Sequence, residues 1–388
     1  MKVLMINVVC GIRSTGRICT DLATALEKQG HQVKIAYGRE NVPEQFQKYA
    51  VRIGNDLDVK LHGVKARLLD GAGFGSKAVT EKFIEWVKKY DPDVIHLHNL
   101  HGYYINVEVL FKYLKTCGKR IIWTLHDCWA FTGHCTYFDY VGCEKWKNGC
   151  MQCPQKKEYP TSNGLDMSKQ HYALKRKLFT GIPNMTLVTP SKWLADLVKM
   201  SYLRKYNTLV IHNGVDTTVF KPTNSNIREK YHCENKKIVL GVAAIWDKRK
   251  GLDTFLKLSK RLDQSYQIIL VGLTQEQIQK ITKNIIGIER TDSVQELVEL
   301  YSAADVFVNP TLEDNYPTTN LEAIACGTPV ITYNTGGSPE SARMYGTSIP
   351  GNIKMLIKVV KKTEVEKSKV IDVDYHNVVQ KYMRLYLE

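Results

Sequence analysis

The sequence predicts an α/β protein made of two doubly wound, parallel-sheet domains, and three observations carry that reading. The chain has 388 residues, too many for one ordinary domain and suited to two of roughly 180. Short apolar runs alternate with stretches of helical apolar spacing twice over, with a break in residues 207–237. Residues 305–340 read as strand, polar loop, helix and strand, the unit of a parallel sheet. The expected division is 1–206 and 207–374, with a final helix over 375–388.

In the first domain, residues 2–9 form an apolar strand. Residues 10–17, CGIRSTGR, read as a turn leading into a helix over 18–28. A glycine loop between strand and helix can cradle a phosphate, although this one does not match GxGxxG. A tight βα turn is the alternative. Residues 32–38 and 93–98 are further strands, and 83–89 belong to a helix. His96, His98 and His101 alternate here, but no acid or cysteine close in sequence completes a metal set. The strand 119–126 ends in His126-Asp127. Side chains at the carboxyl ends of parallel strands point toward the ligand crevice, which makes His126 a site candidate.

Residues 128–160 are the least ordinary segment. Cys150 and Cys153 have zinc-ligand spacing, and Cys135 and Cys143 would complete a tetrahedral thiolate site, with His134 as an alternative ligand. Such an ion would hold a loop of this length in shape. Reduced, packed thiols are the other reading. The accompanying aromatics, among them Trp129, Tyr137 and Trp146, suit stacking on sugar rings. A basic helix over 169–179 and strands over 186–191 and 209–211 follow, then a polar connection over 224–237.

The second domain opens with a strand over 238–244. Lys248, Arg249 and Lys250 then precede Gly251 and a helix. Clustered cations at a strand end are what a departing diphosphate needs, and a solvated charge run is the alternative. Residues 267–271 and 285–290 are strands, 294–302 a helix and 305–311 a buried strand. The loop after it carries Glu313, Asp314 and Asn315, and Pro317 to Thr319 open a helix with Leu321, Ile324 and Ala325 on its apolar face. Gly327 and Pro329 end that helix. A helix N-terminus attracts anions, while Asp314 and Glu322 suit polyol hydroxyls. The Gly336-Gly337 pair lets backbone approach a ligand. Together these fit a ligand with phosphate and polyol parts; acids that merely complement the helix dipole are the alternative.

The net charge of +15 is concentrated in residues 151–210, with ten Lys/Arg against three Asp/Glu. Such a surface favours phosphates, nucleic acid or anionic lipid. No run approaches the roughly 18 apolar residues of a membrane span. Residues 1–10 are too short for a signal sequence, so the expected location is the cytoplasm, with the ten cysteines reduced.

The stretch NPTLEDNYPTTNLEAIACGTPVITYNTGGSPE, residues 309–340, resembles the signature of the retaining glycosyltransferases of the GT-B fold, specifically family 4. The resemblance extends over nearly the whole chain. EDNYP and HDCWAFTGHC are similar to a branch of bacterial surface and capsular polysaccharide enzymes. It implies two Rossmann-like domains facing across a cleft, an acceptor-side domain first and a nucleotide-sugar domain second, with the final helix returning to the first. It implies that Glu322 binds the nucleotide ribose, and that Asp314 or its neighbour Glu313, with Asn315, faces the donor sugar. Lys250 matches the family's diphosphate lysine. The family's upstream arginine falls on Ile245, so Arg249 or Lys248 takes its place. His126 would contact the donor sugar, with Asp127 supporting it. Gly16 would contact the diphosphate, and Arg290 and Thr291 would lie by the base.

The implied activity is retaining transfer of a hexosyl unit from a nucleotide-sugar to a saccharide or lipid-linked saccharide acceptor. It requires no catalytic metal, leaving a structural zinc as the only cofactor in view. Contact with the inner membrane face suits the basic charge, and no nucleic-acid partner is expected. A nucleotide-sugar epimerase would need acid and base groups that cannot be placed. An inactive nucleotide-sugar-binding homologue and a polyanion-binding protein remain as alternatives.

Overall fold

The computed structural model describes residues 1–365 and 371–387. It divides into two compact units, Met1–His212 with the chain from Val378 on, and Asn213–Asn377.

The first unit is a seven-stranded parallel sheet of β1 (Lys2–Ile6), β2 (Gln32–Tyr37), β3 (Ala50–Arg52), β4 (Val94–Leu97), β5 (Arg120–Thr124), β6 (Met185–Thr189) and β7 (Thr208–Val210). Their spatial order is β3-β2-β1-β4-β5-β6-β7. All four residues of β4 and all five of β6 are buried. Helices therefore cover both faces, which is why these strands read as continuous apolar runs and not as alternating ones. The chain winds outward from β1 to β3 and then returns to β4 beside β1. That reversal opens a crevice at the carboxyl ends of β1 and β4.

Two expectations shift here. The first helix runs Arg13–Lys28, so Gly16 lies in its first turn and not in a loop. Gly11 and Arg13, both at positive φ (74° and 55°), make the turn instead. Residues 208–210 pair with β6 as β7, so the break between units follows His212 and not residue 206. The final helix, Tyr375–Leu387, buries Val379, Tyr382, Met383, Leu385 and Tyr386. Tyr382 Oη meets Thr124 Oγ1 at 2.9 Å, and Tyr386 Oη meets His96 Nδ1 at 2.7 Å.

The second unit is a six-stranded parallel sheet of β8 (Lys237–Val242), β9 (Tyr266–Val271), β10 (Ile285–Ile288), β11 (Val306–Asn309), β12 (Val330–Tyr333) and β13 (Gly346–Ile349). Its order is β10-β9-β8-β11-β12-β13, so the reversal falls between β8 and β11. Alternate side chains feed two cores, as period two requires. Ile238, Leu240 and Phe307 pack on one face, and Val239, Val306 and Val308 on the other. Among the described residues no helix is long and apolar enough to cross a membrane.

Candidate functional site

In the second unit the site grows from the carboxyl ends of β8, β11 and β12. The turn after β8 places Lys250, whose Nζ donates to Asp314 Oδ2 at 2.5 Å. Arg249 Nη1 donates to the Glu313 carbonyl at 2.9 Å, and the Arg249 carbonyl accepts from Leu312 N at 2.8 Å. The cation turn and the acidic loop are thus laced together where the sheet reverses, the place where open α/β sheets bind ligands. Burial works against ionisation of Asp314, but the Lys250 and Arg249 charges outweigh it and hold the carboxyl below its ordinary range.

The third loop closes against the same point. Gly336 has φ 55°, and a Cβ there would lie 1.9 Å from the Asp314 carbonyl oxygen. Gly337 N donates to that oxygen at 3.1 Å. Behind the loops, a buried polar network fixes the helix Thr318–Ala325. Asn320 Oδ1 accepts from Asn309 Nδ2 at 2.9 Å, and Asn320 Nδ2 donates to Ser341 Oγ at 2.9 Å. The N-cap, Pro317, makes no side-chain capping bond. The helix therefore begins beside the acidic loop with its dipole uncapped by a side chain.

Not every expected residue gathers at that point. Glu322 is buried, and its Oε2 accepts from Tyr301 Oη at 2.9 Å. Asn315 and Glu313 are buried in the acidic loop. Arg290 is exposed and Thr291 half-buried, just past the end of edge strand β10.

The first unit carries a second cluster after β4 and β5. His98, His101, His126, Asp127 and Trp129 line a small cleft. His126 Nε2 and His98 Nδ1 are 2.9 Å apart. Burial pulls the His126 imidazole down to about 4 against the opposing pull of Asp127. His101 Nε2 donates to Asp127 Oδ2 at 2.8 Å, and Asp127 Oδ1 accepts from Trp129 N at 2.9 Å. Burial opposes the Asp127 charge, but the His101 partner outweighs it and lowers its pKa. His98 Nε2 is buried without a hydrogen-bond partner among the described residues. Gly16 lies in the first turn of the helix that follows β1, where its carbonyl accepts from Gly11 N at 3.2 Å.

Beside this cleft Lys175 is fully buried, donating to the carbonyls of Trp129 and Thr132 at 2.9 and 3.1 Å. Its ammonium lies 3.5 Å from the Trp129 ring centroid. Nothing in the local pattern marks it, since a lysine within a basic helix reads as solvated. Cys135, Cys143, Cys150 and Cys153 line a separate small cavity. Among the described residues no three His, Cys, Asp or Glu side chains stand as a ready metal-binding group, so the cysteines share a cavity without forming a closed ligand set.

The sequence profile described as Glycosyltransferase Family 4 matches residues 15–219, more than half of the chain. The chain belongs to this glycosyltransferase family. A second profile, glycosyl transferases group 1, matches this glycosyltransferase over residues 236–362. WcaC of Escherichia coli K12, named for glycosyl transfer in colanic acid biosynthesis, is 25% identical over 89% of the family 4 chain and 86% of its own. The O-antigen chain mannosyltransferase RfbU of Salmonella typhimurium is 29% identical, over 34% of this chain and 39% of its own. Sucrose-phosphate synthase from Thermosynechococcus elongatus superposes with a TM-score of 0.72 at 17% identity, covering 100% of this chain and 98% of that one. Anabaena HepE in complex with UDP does so at 0.67 and 15%, covering 99% of each. These likenesses place the glycosyltransferase fold on both Rossmann-like units.

Proposed function

We propose that this glycosyltransferase moves a hexosyl unit from a nucleoside-diphosphate sugar to an acceptor hydroxyl, with retention at the anomeric carbon, during assembly of a surface polysaccharide. The observation that carries the reading is the Lys250–Asp314 pair, laced to Arg249 at the reversal of the second sheet. Leaving-group departure places new negative charge on the diphosphate. Lys250, Arg249 and the N-terminus of the helix Thr318–Ala325 are the donors that would stabilise it. The bond from the anomeric carbon to the diphosphate oxygen breaks as the acceptor oxygen bonds the same face. The acceptor proton passes to the departing phosphate oxygen, so no protein carboxylate acts as base and no catalytic metal is used.

Asp314 is assigned to the sugar hydroxyls. Glu322 is assigned to the ribose, which requires it to exchange or share its Tyr301 partner. On family likeness, His126 is the first unit's contact with the sugar. Arg290 and Thr291, beyond β10, are assigned to the base. The likeness to WcaC and RfbU favours a saccharide acceptor, and we assign it to a lipid-linked one as part of this proposal. The basic run over 151–210, less the buried Lys175, would meet an anionic cytoplasmic membrane face.

The test is a thermal-shift panel of UDP, GDP and ADP with their sugars, followed by NMR of the anomeric configuration of the product formed on saccharide acceptors. UDP comes first because HepE binds it in its crystal. Selective stabilisation by one nucleotide together with a retained anomer is the expected result. Binding without transfer to any acceptor would favour the inactive homologue. Stabilisation by polyanions alone, abolished by salt, would overturn the reading.

A further inference from the structure

We propose that Cys135, Cys143, Cys150 and Cys153 bind one structural zinc ion that shapes the loop over residues 128–160. The four are spread over 19 residues of sequence, yet the fold brings them around one cavity that is otherwise lined mainly by Phe138, Trp146 and Pro154. Cys150-Met151-Gln152-Cys153 has the spacing with which one turn of backbone offers two sulfurs to a tetrahedral ion.

The surroundings are those a thiolate site needs. Gly133 N donates to Cys150 Sγ at 3.2 Å. A Cβ on Gly133 would lie 2.8 Å from Cys150 Cβ and 2.1 Å from the Ser168 carbonyl oxygen, so only glycine permits that approach. Backbone N–H bonds to sulfur are the outer contacts that orient ligands and spread thiolate charge. Asp166 holds the Cys153 end, its Oδ2 accepting from Cys153 N at 2.7 Å while Oδ1 accepts from Ser168 N at 2.9 Å.

Charge balance points the same way. Four thiols that give up their protons to water on binding a divalent ion leave the site at about minus two. Among the described residues the fully buried Lys175 has backbone carbonyls and a ring as direct partners, and the Cys150 and Cys135 thiols act on it along with Asp70 and Asp127. An anionic centre in that cavity adds counter-charge for the buried ammonium beside that of Asp70 and Asp127. The sulfurs do not meet at coordination distance as they stand. Rotation between staggered χ1 positions is the movement that would close them on an ion. His134 does not line the cavity; its Nδ1 pairs with Asp70 Oδ1 at 2.5 Å.

The experiment is metal analysis of the full chain purified without chelator, with cobalt(II) exchanged in as a spectroscopic probe. About one zinc per chain and the intense sulfur-to-cobalt charge-transfer bands of a four-thiolate tetrahedral site are expected. Cys143→Ser and Cys150→Ser should each lower the metal content at least fivefold, whereas Cys233→Ser and His134→Gln should retain it. Because losing a packed cysteine can prevent folding, the wild-type metal content and cobalt spectrum decide independently of the variants. Wild-type protein without metal, carrying either four freely alkylated thiols or a Cys135–Cys153 disulfide by mass, would overturn the proposal. Loss of metal in His134→Gln with retention in Cys143→Ser would overturn the four-cysteine set.

Discussion

Lys250 and Asp314 make separable contributions to stability and to turnover. Removing Lys250 alone leaves a buried carboxylate without its cation, which costs about 3 kcal/mol in comparable pairs. It also removes a donor from the leaving diphosphate, worth about 100-fold in kcat. Lys250→Ala should therefore lose both, as read by urea midpoint and by initial rate. Adding Asp314→Asn should recover much of the stability and none of the turnover. Recovery of turnover in the double variant would remove Lys250 from the chemistry. Asp314 has a folded pKa below its unfolded value, so its contribution is present above about pH 4 and disappears as pH falls through the folded value.

The buried histidines move in the opposite charge sense but in the same direction of pH. Burial pulls His62 and His126 to about 4 and His96 to about 3. His62 Nε2 accepts from Gly73 N and Gly75 N at 3.2 and 3.1 Å, so a proton there displaces two bonds and gains one, to the Gly71 carbonyl at 3.2 Å. Held neutral, these groups contribute stability that is complete above about pH 6.5 and is lost as pH falls toward 4. Each adds a slope approaching about 1.4 kcal/mol per pH unit in that window. Urea midpoints between pH 7.5 and 5 should fall steeply in the wild type and less steeply in His62→Gln. Equal slopes would show that His62 is not held neutral.

At the scale of the element, the site depends on three loops meeting at the adjacent carbonyls of Glu313 and Asp314. Gly336→Ala must fit a methyl where Asp314 O lies 1.9 Å from the ideal Cβ, at a φ of 55°. Gly118, at φ 67° with nothing within 4 Å, has the same backbone strain without the clash. Gly118→Ala should cost about 1 kcal/mol and leave activity unchanged. Gly336→Ala should cost more and lower kcat/KM at least tenfold, because the acidic loop is displaced. Equal activity in the two variants would mean that the loop can shift without harm to the site.

That comparison also shows where the sequence was informative. β1, β4, β5, β8 and β11 were legible because strands buried on both faces are bare apolar runs. β3 and β13, at three and four residues, were too short or too exposed to stand out as sheet edges, whereas β7 was read one residue late as 209–211. The start of the first helix was misplaced because Gly16 looked like the turn residue, whereas Gly11 and Arg13 make the turn. Lys250, Arg249 and Asp314 were readable as neighbours of strand ends. Tyr301, Asn320 and Lys175 were not, because each acts through a contact between segments distant in sequence.

At the scale of the whole chain, the final helix closes the account of the first unit. Its chain segment leaves the second unit, and its residues from Val378 on belong to the first. Five of its side chains are buried, and two tyrosine hydroxyls meet the sheet at Thr124 and His96. His96 also has Thr124 Oγ1 within 2.8 Å of Nε2, so the helix completes a polar chain that runs through two adjacent strands. Burying an aromatic or leucine side chain is worth about 1.5–3 kcal/mol, so the helix as a unit rivals the net stability of a domain. Tyr386→Phe removes one hydroxyl partner and should cost about 1–3 kcal/mol, mostly from the His96 nitrogen left unpaired. Tyr386→Ala should cost about 3–5 kcal/mol. Deleting residues 378–388 should unfold the first unit while leaving the second with its own six-stranded core. Calorimetry of the truncated chain, with hydrogen exchange to assign the surviving protection, separates the cases. Protection retained in β4 and β5 would show that the first unit does not need its last helix.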